Sequence, residues 1–535
     1  MEIVETDVLI IGGGGAGMRA ALAAREKGAE VLLVSKTPPG KSTCTYLSGG
    51  AFSLAAEGST VETHFKQTLQ AGKGINDPEL VKVLVEDAPE RVRDLERLGL
   101  KGAWGKGRFT CLGKAPSWGA PLTDALADAA REGGVGEKAW VAVFDLLRDG
   151  EKVVGALGFE FRKGIPFAFL SKSTVLANGG GGALYPRNDN PVRTTGDGYA
   201  LAYEAGCRLR DMEFVQFMPI GLAEEGSPPF VLAPSLADAG KVVNSSGLDV
   251  LEKYHIVDKP VVVRCRDTFS QAIIKEEERG EKVFLDLRKL SDEAWPKDNM
   301  AMSQKRMLRD RFSCSDRLLR IAPTVHFFMG GVCTDSDGRT EVPGLWAAGE
   351  VVGGLHGANR MGGNALSEII VFGSRAGAAA AEWALREKPL GEPGALIRSR
   401  WDRFQKKWKS NGKGLSPRVL RQRMGAILWD QGGIIREEKG LQLGLEELKK
   451  MKTEDLPWAA SETSKEILEK IEVDNGLLVS EMILRSALMR RESRGAHYRK
   501  DFAVMDDRNW KGNIFLRKSA SGMTLTFHPL PGKSS

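Results

Sequence analysis

The sequence predicts an α/β chain of several domains, opening on parallel strands, interrupted by an inserted segment and closing in a helical region. Three observations carry that prediction. An apolar run, Val8–Ile11, leads through Gly12-Gly13-Gly14-Gly15-Ala16-Gly17 into the alanine-rich stretch Met18–Gly28 and on to a second apolar run ending at Ser35. A glycine- and alanine-rich texture breaks off near Ser227 and resumes at Gly330. From about Ala381 to Arg494 the chain is rich in Lys, Arg, Glu and Leu at helical spacing.

The first stretch reads as buried strand, tight glycine turn and helix, and the strand Glu30–Ser35 follows at once. That is a βαβ unit, whose strands should be parallel. Pro38–Gly58 reads as a long irregular segment, and helical periodicity returns over Asp77–Leu98. Lys152–Ala177 reads as short strands running into the loop Asn178-Gly179-Gly180-Gly181-Gly182. Ser227–Arg320 carries more charge and more loops, with short strands such as Lys259–Val263, and reads as an inserted domain. The tail beyond Arg494 reads as strand and turn, and no internal repeat is evident.

Composition excludes several classes of function. With 535 residues the chain has room for roughly two to four domains of about 150 residues each. Its 42% hydrophobic and 27% charged residues predict a large core that needs no staples. The six cysteines stand singly, with no CxxC, so neither a zinc site nor an iron–sulfur cluster is expected within the chain, and a reducing cytosol suits them. No run of about 18 apolar residues predicts a membrane span, and the start runs straight into a strand without a basic leader. A net charge of +6 on a chain this large gives no reason to expect nucleic-acid binding.

Gly12, Gly14 and Gly17 satisfy the GxGxxG spacing directly after a strand and at the opening of a helix. The first glycine permits the turn, the second lets backbone approach a pyrophosphate, and the third lets helix and strand pack closely. The helix N-terminus adds free N–H groups and a positive dipole end. The second strand ends in Ser35-Lys36, where a dinucleotide site usually has an acidic residue for the ribose. A serine hydroxyl can still bind ribose and a lysine can sit near a phosphate, which argues against a plain NAD site and leaves FAD open.

Nine segments, in order along most of the chain, resemble the flavoproteins of fumarate reductase and succinate dehydrogenase. They are VLIIGGGGAGMRAALAA, VLLVSK, VLANGGGGALY, TTGDGYALAYEAG, RDMEFVQF, RCRDTFSQAI, PTVHFFMGGV, LWAAGEVVGGLHGANRMGGNALSEIIVFG and ESRGAHYRKDF. The resemblance implies a split Rossmann-like FAD-binding domain (residues 1–226 and 323–385), an inserted α+β capping domain (227–322), a helical domain (386–494) and a C-terminal tail (495–535). It implies that Gly12, Gly14 and Gly17 hold the FAD pyrophosphate, with Ser35 and Lys36 near the adenosine. Asp197 and Glu350 would contact the cofactor from either half of the split domain. Ser42, Thr43, Gly49, Gly50, Asn178 and Gly179 would border it, while Asn364, Ser367 and His356 would lie on the flavin side. Asp197 and Ser367 could equally cap helices.

Reduction of an activated double bond needs a hydride, a proton for the other carbon, and positive charge beside the acceptor's carboxylate. By resemblance Arg266 moves the proton, Arg360 binds a substrate carboxylate in bidentate fashion, and His326 binds substrate. An ion pair with Asp267 or a nearby glutamate is the competing reading of Arg266, and a core histidine that of His326.

The chain also departs from the family. Thr43 stands where a histidine tethers FAD covalently, so the sequence predicts non-covalent FAD and, with the tether lost, a lower flavin potential. After Val215-Gln216-Phe217 the family continues with a histidine and a threonine that bind one carboxylate; this chain has Met218 and Ile220. Ala233-Pro234-Ser235-Leu236 occupies the place of a glutamate–arginine relay. A second carboxylate would then be poorly solvated, so a small carboxylic acid other than fumarate or succinate is the expected substrate.

The basic stretch Ile397–Met424, with Arg398, Arg400, Arg403, Lys406, Lys407, Lys409, Lys413, Arg418, Arg421 and Arg423, reads as a solvated helix face or as a dock. By resemblance the dock would serve an iron–sulfur electron-transfer subunit, with membrane contact only through partners. The competing functions are an L-aspartate oxidase type of enzyme and an electron-transfer flavoprotein with a vestigial substrate pocket.

Overall fold

The computed structural model describes residues 1–113, 117–227, 230–388, 391, 393–408 and 414–530. The apolar run Val8–Ile11 is buried, as a central parallel strand requires. It ends strand β1 (Glu2–Ile11), which turns through the glycines into helix α1 (Gly15–Glu26). Strand β2 (Val31–Ser35) then pairs parallel with β1, from Val8↔Val31 to Ile11↔Val34. Helix α2 (Pro78–Arg97) starts where expected, because the Asp77 side chain accepts the Glu79 N–H. Strands β3 (Gly136–Ala139), β4 (Val141–Asp149), β5 (Lys152–Glu160) and β6 (Ile165–Leu176) complete a sheet in the order β3-β2-β1-β6-β5-β4.

Helix α3 (Asp197–Glu204) follows the glycine loop after β6, and strand β7 (Val215–Leu222) enters the capping region. There β7 pairs with β8 (Leu319–Phe328) in a four-stranded antiparallel sheet, with helix α4 (Arg266–Glu277) packed against both strands. The short strand β9 (Leu345–Ala347) returns to the first sheet beside β6. Helix α5 (Asn364–Arg386) then lies against α1. Their contact is backbone to backbone: a Cβ on Gly377 would sit 2.0 Å from the Ala20 carbonyl oxygen. The first sheet is therefore built from both sides of the insertion, which places the glycine turn and the segment before α5 next to each other.

The charged region forms helices Gly394–Trp408, Pro417–Gly432, Glu438–Lys450 and α6 (Ser464–Met489), the last opened by a capping box between Thr463 and Glu466. The tail is a hairpin, Gly512–Ser519 with Gly522–Pro529, paired through Leu209–Arg210 to the body. Among the described residues no helix is long and apolar enough to cross a membrane.

Three local expectations need correction. Lys259–Val263 is not a strand: Val261–Arg264 is a short helix behind Pro260. Its β-branched run misled because Val261 and Val262 are buried in the capping core while Val263 is exposed, a one-sided helical turn. Pro38–Gly58 is less irregular than its composition predicts, holding helix Cys44–Leu47 and strand Ala51–Ser53. The helix expected near Tyr199 begins at Asp197 behind a left-handed Gly196, so Asp197 is its first residue and not its cap.

Candidate active site

The glycine turn has the shape a pyrophosphate needs. Gly12 has φ +124°, and a Cβ there would lie 2.1 Å from the Ala177 carbonyl oxygen. A Cβ on Gly17 would lie 1.9 Å from Gly12 O, so helix and strand approach as closely as the fingerprint demands. Gly14, Gly49 and Gly179 instead border open space, with nothing closer than 4.0 Å to an added Cβ. This is a cradle that side chains would fill, and Asn178 adds a buried, unpartnered amide oxygen beside it. These residues fit a bound dinucleotide. Gly50, at φ +69°, turns the segment opposite. Thr43 caps the helix Cys44–Leu47 by accepting the Tyr46 N–H at 3.1 Å, and Ser42 before it has φ 53°.

At the end of β2, the Ser35 hydroxyl donates to Thr37 O, and the Lys36 ammonium turns inward. It reaches Asp197 Oδ2 at 2.5 Å, Glu472 Oε1 at 2.7 Å and Thr195 Oγ1 at 3.1 Å. Asp197 Oδ1 accepts from Asn475 at 3.0 Å. Burial alone would raise the Asp197 carboxyl; the Lys36 charge, aided by these hydrogen bonds, overrides it and holds the group below the usual range. Lys36 and Asp197 therefore spend their charges on each other and on α6. Glu472 went unnoticed in the sequence because 436 residues separate it from Lys36.

Towards the other end, Glu350 is buried and accepts the Phe328 N–H at 3.0 Å. Burial pushes its carboxyl up to about 8, with the Phe328 hydrogen bond and Arg360 pulling the other way. His356 is held through Nε2 by Glu368 at 2.9 Å, and its Nδ1 is buried without a partner. The Asn364 amide is used by His64 and Thr68, at 2.8 and 3.0 Å, and Ser367 donates to Ser53 O at 2.5 Å. Ser367 lies inside α5, whose cap is Gly363, so it does not cap the helix.

Beside these groups stand two buried arginines. Arg266, the first residue of α4, donates to the Arg360 carbonyl at 3.3 Å. Arg360 donates to Gln216 Oε1 at 2.9 Å, and its guanidinium lies 4.7 Å from the centre of the Phe327 ring. The Nε of each is buried without a hydrogen-bond partner. Burial, then the neighbouring Arg266, push Arg360 down to about 10. Burial also lowers Arg266, against the attraction of Asp267. Asp267 itself accepts from Asn359 at 2.8 Å. Two adjacent desolvated cations with spare donors have the charge and hydrogen-bonding capacity to receive an anion.

His326 on β8 is a third exposed, and its Nδ1 lies 2.6 Å from Asp189 Oδ2. Asp189 was not anticipated, since nothing in its spacing marks it. Met218 and Ile220, 6% and 0% exposed, belong to the apolar core of the capping domain with Leu232, Ala233, Leu236 and Phe269. Among the described residues no group of three or more His, Cys, Asp or Glu is placed to hold a metal ion.

The basic helices are partly committed to the body. Arg421 donates to Ala183 O and Val192 O, Arg400 lies 3.6 Å from Asp145, Lys407 pairs with Asp474 and Arg423 with Asp455. Lys409 and Lys413 lie outside the described residues.

Comparison with known proteins gives the same outline. Residues 7–366 match the family described as FAD binding domain, and residues 421–534 match the family described as fumarate reductase flavoprotein C-term. The fumarate reductase (CoM/CoB) of Methanothermobacter marburgensis contains a chain that is 35% identical, over 97% of this chain and 98% of its own. The fumarate reductase flavoprotein subunit of Mycobacterium tuberculosis is 32% identical, over 98% and 97%. Among solved structures, the flavoprotein of E. coli quinol fumarate reductase superposes with a TM-score of 0.88 at 28% identity, over 100% of this chain and 98% of that one.

Proposed function

The chain belongs to the FAD-binding flavoprotein family of fumarate reductase and succinate dehydrogenase, and from that premise we propose that it acts on a substrate with one carboxylate rather than on fumarate. It binds FAD and is an oxidoreductase of CH–CH groups. The finer reading rests on one observation. Arg266 and Arg360 keep buried, unpartnered Nε donors, while Met218 and Ile220, on the strand that carries Gln216, are buried in the apolar capping core and offer no donor.

In this reading the glycine turn at Gly12, Gly14 and Gly17 holds the pyrophosphate. Asn178, Gly179, Gly49 and Gly50 line the cradle, and Glu350 and His356 offer polar atoms along it. Bound there, FAD supplies two-electron exchange with the substrate carbon–carbon bond. Arg360, steadied by Gln216, grips the substrate carboxylate, and Arg266 adds a second positive charge where anionic character develops. Fully desolvated, this pair strongly favours one carboxylate. A second carboxylate against Met218 and Ile220 would lose its hydration with no donor to replace it, which costs several kcal/mol. With Thr43 capping its short helix, the cofactor is held without a covalent bond. Its relatives are named as subunits of fumarate reductases, and in this reading electrons are exchanged with an iron–sulfur partner subunit.

The test is reoxidation of the reduced flavin. Protein reduced without oxygen is mixed with fumarate and then with monocarboxylic α,β-unsaturated acids, and the flavin absorbance is followed. Silence with fumarate and fast reoxidation by an enoate with one carboxylate is the expected result. Fast reoxidation by fumarate overturns the substrate reading, and silence with every acid favours the electron-transfer reading.

A further inference from the structure

We infer that Asn359 is a positioning residue for substrate binding: it carries a one-way hydrogen-bond chain from Asp267 through Gln216 to the Arg360 guanidinium. This rests on the reading of Arg360 as the arginine that grips a carboxylate, and deepens it. Asn359 Nδ2 donates to Asp267 Oδ2 at 2.8 Å, and Gln216 Nε2 donates to Asn359 Oδ1 at 2.6 Å. Arg360 Nη2 in turn donates to Gln216 Oε1 at 2.9 Å. Gln216 Nε2 also reaches the Arg360 carbonyl at 3.1 Å, the oxygen that accepts from Arg266 at 3.3 Å.

Donor chemistry gives the chain its direction. A guanidinium only donates and an ionised carboxylate only accepts, so both ends are fixed. Each amide between them must turn its oxygen toward Arg360 and its nitrogen toward Asp267. Turning over the Asn359 amide alone would set its NH₂ against that of Gln216 and its oxygen against the Asp267 carboxylate. Burial raises the Asp267 carboxyl, while Arg266, Lys73 and the Asn359 hydrogen bond favour its charged form.

The chain joins three parts of the fold. Asp267 lies in the first turn of α4, Gln216 on β7, and Asn359 with Arg360 in the segment before α5. Gln216 pairs across the sheet with Phe327 of β8, whose ring centre lies 4.7 Å from the Arg360 guanidinium. Neighbouring strands therefore hold Arg360, and its buried Nε is left without a partner in the protein. Gln216 is fully buried, whereas Asn359 and Asp267 are half-buried. Without Asn359, one N–H of the buried Gln216 amide has no acceptor. A buried donor left unpaired is costly, so the amide shifts to find a partner and takes its oxygen off Arg360.

The experiment titrates oxidised, full-length FAD-loaded protein with crotonate, and with acetate as the smallest alkyl carboxylate, following the flavin absorbance. Asn359→Leu should bind crotonate about 10-fold more weakly than wild type at equal FAD content. The exchange Asp267→Asn/Asn359→Asp keeps every link of the chain, with amide and carboxylate in each other's place. It should bind within about threefold of wild type, a rescue that a loss of local packing would not show. If Asn359→Leu takes up no FAD, Asp267→Ala is measured in its place with the same expectation. Asn359→Leu binding like wild type, or an exchange variant as weak as Asn359→Leu, overturns the positioning role and leaves the Arg360 reading standing. Arg360→Met binding as tightly as wild type, or a wild type that takes neither acid, overturns the Arg360 reading and this role with it.

Discussion

Replacing Lys36 with methionine removes the ammonium that Asp197 and Glu472 share. The three side chains are 16%, 8% and 2% exposed, at 2.5 and 2.7 Å from nitrogen to oxygen. Losing one partner of a buried pair typically costs about 3–5 kcal/mol, because the stranded charge stays desolvated. Here Glu472 keeps Arg193 and Arg421 at 3.6 and 3.7 Å, and Asp197 keeps Asn475 and Thr195. The low end, about 3 kcal/mol near neutral pH, is therefore expected for Lys36→Met. The sign with pH follows from Asp197. In the wild type its carboxyl is held below 3.8, so its contribution is present above that pH and is lost as pH falls through the folded value. Without Lys36 burial dominates and the folded value rises above the unfolded one, so the variant weakens as pH climbs through the carboxylate range. Urea unfolding followed by circular dichroism should show a deficit of about 3 kcal/mol near pH 7.5, shrinking to about 1.6 kcal/mol near pH 5. Lys36→Met/Asp197→Asn should recover most of it. A deficit under about 1 kcal/mol at both pH values, or one equal at both, would refute the reasoning.

Other outcomes follow from the same structure. Arg360→Met should slow flavin reoxidation by substrate about 100-fold or more with FAD content unchanged, read from absorbance spectra and stopped flow. The Glu350 carboxyl, raised by burial from 4.5 to about 8, makes FAD-free protein lose stability as pH rises between those values. Glu350→Gln should flatten that slope in urea titrations. Acid precipitation should release all flavin into the supernatant, since Thr43 offers no attachment; flavin fluorescence in the pellet would contradict non-covalent binding. Met218→His should cost about 1–3 kcal/mol by burying a polar ring in the capping core, visible as a lower Tm.

Much of the fold was legible because its signals are local. Val8–Ile11, the glycine turn and Val31–Ser35 lie within one βαβ unit, and the helical region announces itself by period. Val261–Arg264 misled for a related reason, since three valines in a row carry no period to separate a buried strand from a one-sided helical turn. The tail hairpin was visible as strand and turn, but its pairing with Leu209–Arg210 was not. Arg266, Arg360 and His326 were found by motif. The groups that tune them were not: Gln216 on Arg360 is 144 residues away, and Asp189 on His326 is 137.

By itself, then, the sequence determined the dinucleotide-binding start, the interruption of that domain, the presence of Arg266 and Arg360 in recurring motifs and the apolar character of Met218 and Ile220. These follow from short spacings and from residue chemistry, which hold wherever the chain goes. Only the tertiary structure decided what each polar group spends its bonds on. Lys36 turned from an expected phosphate neighbour into the tie between β2 and α6, Asn364 gave its amide to His64, and His326 acquired a carboxylate. Such pairings are set by packing between distant segments, where the cost of leaving a buried charge or donor unpaired selects the partner and no local pattern records the choice.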